Sequence, residues 1–227
     1  ALHEKALGNL ADRIYERHRD GGARIVLISG PSSSGKTTFA KRLGIQLSIL
    51  GMRPVLVSLD DYFVDREKTP LDEDGENDYE ALEAIDVGRF NDDLAALLAG
   101  REVGMPRYNF ITGKSEPNHR TLRMDERSVL LIEGIHGLNP RLTPQIDAAM
   151  KFSALTSIAM DDLNRIATTD NRLIRRIVRD HRTRGNSATA TLRRWESVRR
   201  GEDKHIFPNQ EQADVMFNSS LFYELAV

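Results

Sequence analysis

Residues 2–20 place apolar side chains at Leu2, Ala6, Leu10, Ile14 and Tyr15 among charged ones, a spacing that predicts an amphipathic helix. Asp20-Gly21-Gly22 ends it. The period then changes. Arg24–Ser29 is a short, β-branched apolar run, the pattern of a buried strand. Lys36–Leu50 returns to helical spacing and stops near Gly51, and Pro54–Ser58 is the next strand. Ser128–Ile132 and Phe152–Ile158 read as further strands, and Val215–Phe217 as a last one. Helices are expected over Ile85–Leu98, Asp170–Thr183 and Ala188–Arg200, the last two separated by Gly185-Asn186. Met105–Ile111 and Thr121–Met124 are expected as short strands, and Arg66–Asp78, rich in turn formers, as a loop. Buried strands alternating with helices predict an α/β fold, a parallel sheet with helices on both faces. No repeat, low-complexity tract or linker divides the chain.

The first strand runs into Gly30-Pro31-Ser32-Ser33-Ser34-Gly35-Lys36-Thr37, and a helix follows. This is the G-x-x-x-x-G-K-[ST] phosphate loop in its expected setting. Its glycines let the backbone curl until N–H groups point at phosphate oxygens, and the helix N-terminus adds positive potential. Gly30, Ser32, Ser33, Ser34, Gly35, Lys36, Thr37 and Thr38 are therefore expected to hold a nucleotide. Lys36 would reach the β- and γ-phosphates, and the Thr37 hydroxyl would hold Mg²⁺.

Two strands end in acids. The second runs into Asp60-Asp61, and in an open parallel sheet ligands sit beyond the carboxyl ends of the strands. A carboxylate there takes a substrate hydroxyl proton or holds metal-bound water, and Asp60 is preferred. Ser128–Ile132 ends in Glu133, a metal-holding arrangement, with His136 three residues on as a candidate substrate contact.

Arg172, Arg175, Arg176 and Arg179 share one helix face, and Arg182 and Arg184 extend it. Like charges at this spacing repel, so a polyanion between them resolves the cost. The expectation is a cationic lid closing over a transferring phosphoryl group. A solvated face paired to acids elsewhere is the plainer alternative, and nucleic-acid contact is disfavoured because no aromatic residues interleave.

Composition narrows the picture. The chain of 227 residues has no cysteine, which excludes disulfides, cysteine metal sites and a thiol nucleophile. The charged residues within 1–20 do not fit a signal peptide, and no apolar run is long enough to span a membrane. The net charge of −2 conceals two opposed segments. Residues 58–100 hold 14 acidic and three basic side chains. Residues 164–200 hold 11 basic side chains, all arginine, against three acidic ones. Arginine is the side chain suited to planar, bidentate anion recognition.

GPSSSGKTT at Gly30–Thr38, SLDDYF at Ser58–Phe63, DYEALEAID at Asp78–Asp86, MPRYNF at Met105–Phe110, LLIEGIHGL at Leu130–Leu138 and RLIRRIVRDHRTRG at Arg172–Gly185 occur in that order. On this set the chain resembles the uridine kinase branch of the uridine kinase/phosphoribulokinase family, over roughly residues 23 to 218. The resemblance implies a P-loop NTPase-type kinase domain over 23–227, after an N-terminal helix over 1–22 and with a lid over about 164–204. It also implies ATP- or GTP-dependent, Mg²⁺-assisted phosphorylation of a nucleoside 5′-hydroxyl, uridine or cytidine first, in cytoplasmic pyrimidine salvage. On the family pattern Asp60 is the general base, Thr37, Glu133 and Asp60 take the metal positions, and Arg176 is catalytic with Lys36. Arg175 and Arg179 fall on the nucleotide, while Glu80, Tyr108, His136, Arg172 and Arg184 fall on the substrate. No nucleic-acid or membrane partner is implied, and a homo-oligomer stays open. Where relatives carry a base-contacting histidine five residues after the tyrosine, this chain has Gly113, which leaves base preference open. The tail ADVMFNSSLFYEL is similar to a longer bacterial branch with an N-terminal domain resembling part of threonyl-tRNA synthetase, so both ends are expected to be cuts. A pantothenate- or phosphosugar-type kinase, or a nucleotide-binding regulatory module, is the alternative.

Overall fold

The structure is a computed structural model and describes residues 2–147, 151–157 and 168–219. Ile158, residues 164–167 of the expected lid and the tail from 220 onward lie outside them. The elements are α1 (Leu2–Arg19), β1 (Ile25–Ser29), α2 (Lys36–Ile49), β2 (Arg53–Ser58), α3 (Val87–Leu98), β3 (Val103–Asn109), β4 (Lys114–Leu122), β5 (Ser128–Glu133), β6 (Lys151–Ser157), α4 (Thr168–Thr183), α5 (Ala188–His205) and β7 (Val215–Asn218).

Five strands form one parallel sheet in the order β2-β5-β1-β6-β7. Alternate residues of the central strands go to opposite faces, as the pleat requires. Ile25, Leu27, Leu130 and Ile132 pack with Phe90, Leu94 and Leu97 of α3 and with Met105 and Tyr108 of β3. Val26, Ile28, Val129 and Leu131 pack with Leu7, Leu10 and Ile14 of α1 and with Phe39 and Leu43 of α2. Both faces are covered, which is why these strands read as continuous apolar runs. Side-chain caps start two helices: Asp86 accepts from the Arg89 N–H at 3.0 Å, and Ser187 from the Ala190 N–H at 3.2 Å.

Two expectations need correction. The strand expected at Thr121–Met124 is β4 at Lys114–Leu122, the antiparallel partner of β3. Its sequence KSEPNHRTL is largely exposed, so no apolar alternation marks it. The last helix runs on to His205 rather than ending at Arg200.

The parallel arrangement gathers the strands' carboxyl ends on one edge. Ser58 at the end of β2 stands in register with Glu133 at the end of β5, and Ile28 of β1 is in register with the same glutamate. The phosphate loop, the acids and α4 meet along this edge.

Candidate active site

The loop after β1 is shaped by a close approach to β6. Gly30 has φ +152°, and a Cβ there would stand 2.4 Å from the Thr156 carbonyl oxygen. The Thr156 hydroxyl bonds to Ser34 Oγ at 2.8 Å and donates to the Ser29 carbonyl at 3.1 Å. Gly30 and the buried Ser34 therefore form the underside of the loop, while Ser32, Ser33, Gly35, Lys36, Thr37 and Thr38 line a cleft of about 900 Å³. Ser33 holds a positive φ of 61°, a conformation that loads strain on a non-glycine residue.

Lys36 Nζ donates to the Gly30 and Pro31 carbonyls at 2.9 and 3.1 Å. Burial pulls its pKa down, and the Glu133 and Asp60 carboxylates oppose that shift. Glu133 accepts from Thr37 Oγ1 at 3.0 Å and from Ser58 Oγ at 2.9 Å. Burial pushes the Glu133 carboxyl up, the Asp60 charge adds to this, and Lys36 counters it. Thr37 and Glu133 supply hard oxygen donors beside the phosphate loop. This set fits Mg²⁺, which is commonly held by one or two protein oxygens plus substrate phosphates. Among the described residues there is no cluster of three or more His, Asp or Glu that could hold a metal alone.

Asp60 sits in a 3₁₀ turn, Leu59–Tyr62, directly after β2. Its Oδ2 accepts from Arg184 Nη2 at 3.0 Å. The same guanidinium lies over the Phe110 ring, 4.1 Å from its centroid. Arg176, Arg179 and Arg184 converge on the buried Asp180, at 3.3, 2.9 and 3.8 Å. Arg176 also donates to Ser32 Oγ at 2.8 Å and stands 3.5 Å from Glu80. Burial and the neighbouring Arg184 charge lower the Arg179 pKa, with Asp180 opposing. Asp180 aligns the three guanidiniums, with Glu80 also on Arg176 and Asp60 also on Arg184. Across the cleft lining, eight cationic side chains face five acidic ones, a balance suited to a polyanion.

Most residues expected at the site line this cleft: Lys36, Thr37, Asp60, Glu80, Tyr108 and Glu133, with Arg175, Arg176, Arg179 and Arg184 of the α4 region. Two do not. Arg172, expected on the substrate, is 5% exposed. It pairs with Glu202 of α5, donates through Nε to the Ser32 carbonyl at 2.9 Å and lies against Trp195. The same Glu202 accepts from the Ser32 N–H at 2.9 Å, so the pair clamps the phosphate loop from behind. Spacing put Arg172 on the cationic stripe, but a carboxylate 30 residues later draws it inward. His136, expected as a substrate contact, is fully buried against His205 and lies outside the cleft. Burial and His205 push its pKa down to about 4.

Other lining residues went unnoticed in the sequence. Tyr79 and Phe110 lie inside the motifs DYEALEAID and MPRYNF, beside Glu80 and Tyr108, and that adjacency was the available signal. Asp180 and Glu202 are acids inside basic helices, a weaker signal. Arg193 and Arg194 were marked only as members of the arginine-rich 164–200 segment, and Arg66 had no signal.

A phosphate loop, a carboxylate opposite it and a cationic helix, set on one edge of a parallel sheet, define a P-loop phosphotransferase. Residues 25–221 match the family model of the phosphoribulokinase/uridine kinase family, and the chain belongs to that family and is a kinase. It is 28% identical over 195 residues to the uridine kinase of Tolumonas auensis, covering 85% of each chain. Among solved structures it is similar to a proposed fructose transport system kinase from Silicibacter sp. TM1040, with a TM-score of 0.67 and 21% identity, covering 93% and 98% of the two chains. It is also similar to a possible uridine kinase from Bacillus stearothermophilus, with a TM-score of 0.56 and 21% identity, covering 92% and 100%. Among the described residues no helix is long and apolar enough to cross a membrane.

Proposed function

We propose that the protein transfers the γ-phosphoryl group of ATP or GTP to the 5′-hydroxyl of a nucleoside, with uridine or cytidine as first candidates. The observation that carries this reading is one cleft lined together by the phosphate loop, Asp60, Glu80 and Tyr108. The uridine kinase name of the Tolumonas auensis relative supports it.

The loop N–H groups and Lys36 bind the β- and γ-phosphates. Thr37 and Glu133 hold Mg²⁺, which neutralises charge on the phosphoryl oxygens when bound. Asp60 accepts the hydroxyl proton as the oxygen attacks phosphorus, and its contact with Arg184 fixes the carboxylate's orientation. Arg175, Arg176 and Arg179 stabilise the charge spread over the equatorial oxygens, and the α4 helix keeps water out. Glu80 takes the ribose hydroxyls, and Tyr108 lies along the nucleoside. Such a reaction belongs to the reuse of preformed pyrimidine nucleosides, in the cytoplasm.

The test is ADP release with MgATP across a panel of nucleosides. Stimulation by uridine or cytidine supports the reading. Stimulation only by pantothenate or a sugar phosphate, or by nothing, overturns it.

A further inference from the structure

Arg66 stands in the cleft lining without a role in the reaction above. It opens a short 3₁₀ turn, Arg66–Lys68, and its backbone is held in a frame. The Arg66 N–H donates to the Gly113 carbonyl at 2.9 Å. Asp65 accepts from the Ser115 N–H at 2.9 Å, and Lys114 pairs with Glu67 at 2.8 Å. The β3–β4 turn and the segment after Asp60 are thus locked together.

The side chain then folds across Gly113. That residue has φ +71°, and a Cβ on it would stand 2.7 Å from Arg66 Cζ and Nε. A side chain at position 113 would push the guanidinium away, so the glycine is what admits it. Arg66 Nε donates to the Tyr79 hydroxyl at 3.2 Å, and Nη2 to the Phe110 carbonyl at 2.8 Å. Both partners are neutral oxygens. With the nearby Tyr108 hydroxyl they take up part of the guanidinium's five N–H donors, and the exposed remainder faces the cleft.

A chain of contacts links Arg66 to the reacting end. Arg184 touches Asp60 on one side and the Phe110 ring on the other, and Arg66 holds the Phe110 carbonyl. Arg66 and Arg184 therefore both meet Phe110, one at its backbone carbonyl and the other at its ring. Phe63, Tyr79, Tyr108 and Phe110, which also line the cleft, pack edge-to-face with ring centroids 5.1 to 6.3 Å apart. An aromatic wall of this kind takes a flat ring against it. A guanidinium donates and never accepts, so it pairs with an exocyclic carbonyl oxygen, such as O4 of uracil or O6 of hypoxanthine, and not with the amine that stands there in cytosine and adenine.

We infer that Arg66 is a specificity-determining residue that reads the carbonyl edge of an oxo-base, so that the kinase favours nucleosides such as uridine and inosine over the amino-bearing cytidine and adenosine. The inference rests on the nucleoside reading of the cleft. An exocyclic amine facing Arg66 leaves donors opposed to donors, and each unpaired group forfeits its hydrogen bond. A carboxylate or phosphate on a sugar acceptor offers the same acceptor-only chemistry, and the aromatic walls favour the base.

The experiment measures kcat and KM with saturating MgATP for uridine, cytidine, inosine, adenosine and fructose 6-phosphate, on the full chain and on Arg66→Met and Arg66→Gln. The wild type is expected to favour uridine over cytidine by about 10-fold or more in kcat/KM. Arg66→Met should lower the uridine value by about 10- to 100-fold, the scale of one hydrogen bond from a charged donor, mainly through KM. Its cytidine value and ATP KM should hold within about threefold. Arg66→Gln, whose amide both donates and accepts, should narrow the uridine–cytidine gap. Nucleoside turnover without an oxo preference, or equal loss of both substrates in Arg66→Met, overturns the role of Arg66 and leaves the nucleoside reading standing. Turnover of the sugar phosphate alone, or of no nucleoside, overturns both. The wild-type preference is read without any variant, so a poorly folding mutant does not shelter the inference.

Discussion

The two ends of the cleft are built by different means. The donor end uses backbone: a curled loop between β1 and α2, positive φ at Ser33 and Gly35, and the start of a helix. The acceptor end uses side chains carried on irregular chain, the 3₁₀ turns after β2 and the β3–β4 hairpin. Backbone donors recognise phosphate in any nucleotide, so the first end can stay constant while the second varies. Selectivity belongs at the acceptor end because a side chain there can be exchanged without rebuilding the sheet.

Three experiments press on this division, in order of expected effect. Asp60 stands where the two ends meet. Replacing it with asparagine should lower kcat by about 10²- to 10⁴-fold while the ATP KM changes little. Wild-type turnover in Asp60→Asn would remove it from the reaction. The second experiment contrasts two arginines of one helix. Arg172→Met strips the partner from buried Glu202 and should cost about 3 kcal/mol in urea unfolding. Arg176→Met should show the smaller stability loss and instead lower kcat by about 10- to 100-fold. Equal unfolding midpoints for the two variants would mean that Arg172 is not the clamp described above.

The third experiment concerns His136, beneath the acceptor segment. Its folded value of about 4 lies below the ordinary 6.5, so the unfolded chain binds more protons between those limits. The stability it supports is therefore complete above pH 6.5 and drains away as pH falls toward 4. About 2 kcal/mol should be lost between pH 7 and pH 5. His136→Gln should flatten that difference in urea titrations at the two pH values. An unchanged slope would show that other groups carry the acid sensitivity.

The division also explains what could be read from residues alone. The sheet, the phosphate loop and the acids at Asp60 and Glu133 announce themselves by local pattern, because each depends on neighbours in sequence. Arg172 misled because periodicity gives the face of a helix and says nothing of an acid such as Glu202 on the next one. β4 escaped because an exposed strand needs only its partner's backbone, which β3 supplies. Arg66 carried no signal because its place depends on what is missing from Gly113, in another segment.

Residues 164–200 contain no lysine, although they hold 11 basic side chains. A guanidinium stays protonated through the alkaline range where an ammonium begins to lose its proton, so the charge on this segment is fixed against pH. It is also silent to acylating reagents. Lysine-directed acetylation or a succinimide ester would leave the helix untouched, whereas an α-dicarbonyl that traps guanidinium would meet it directly. A bound nucleotide should shield Arg175, Arg176 and Arg179, which makes dicarbonyl protection a footprint of the donor.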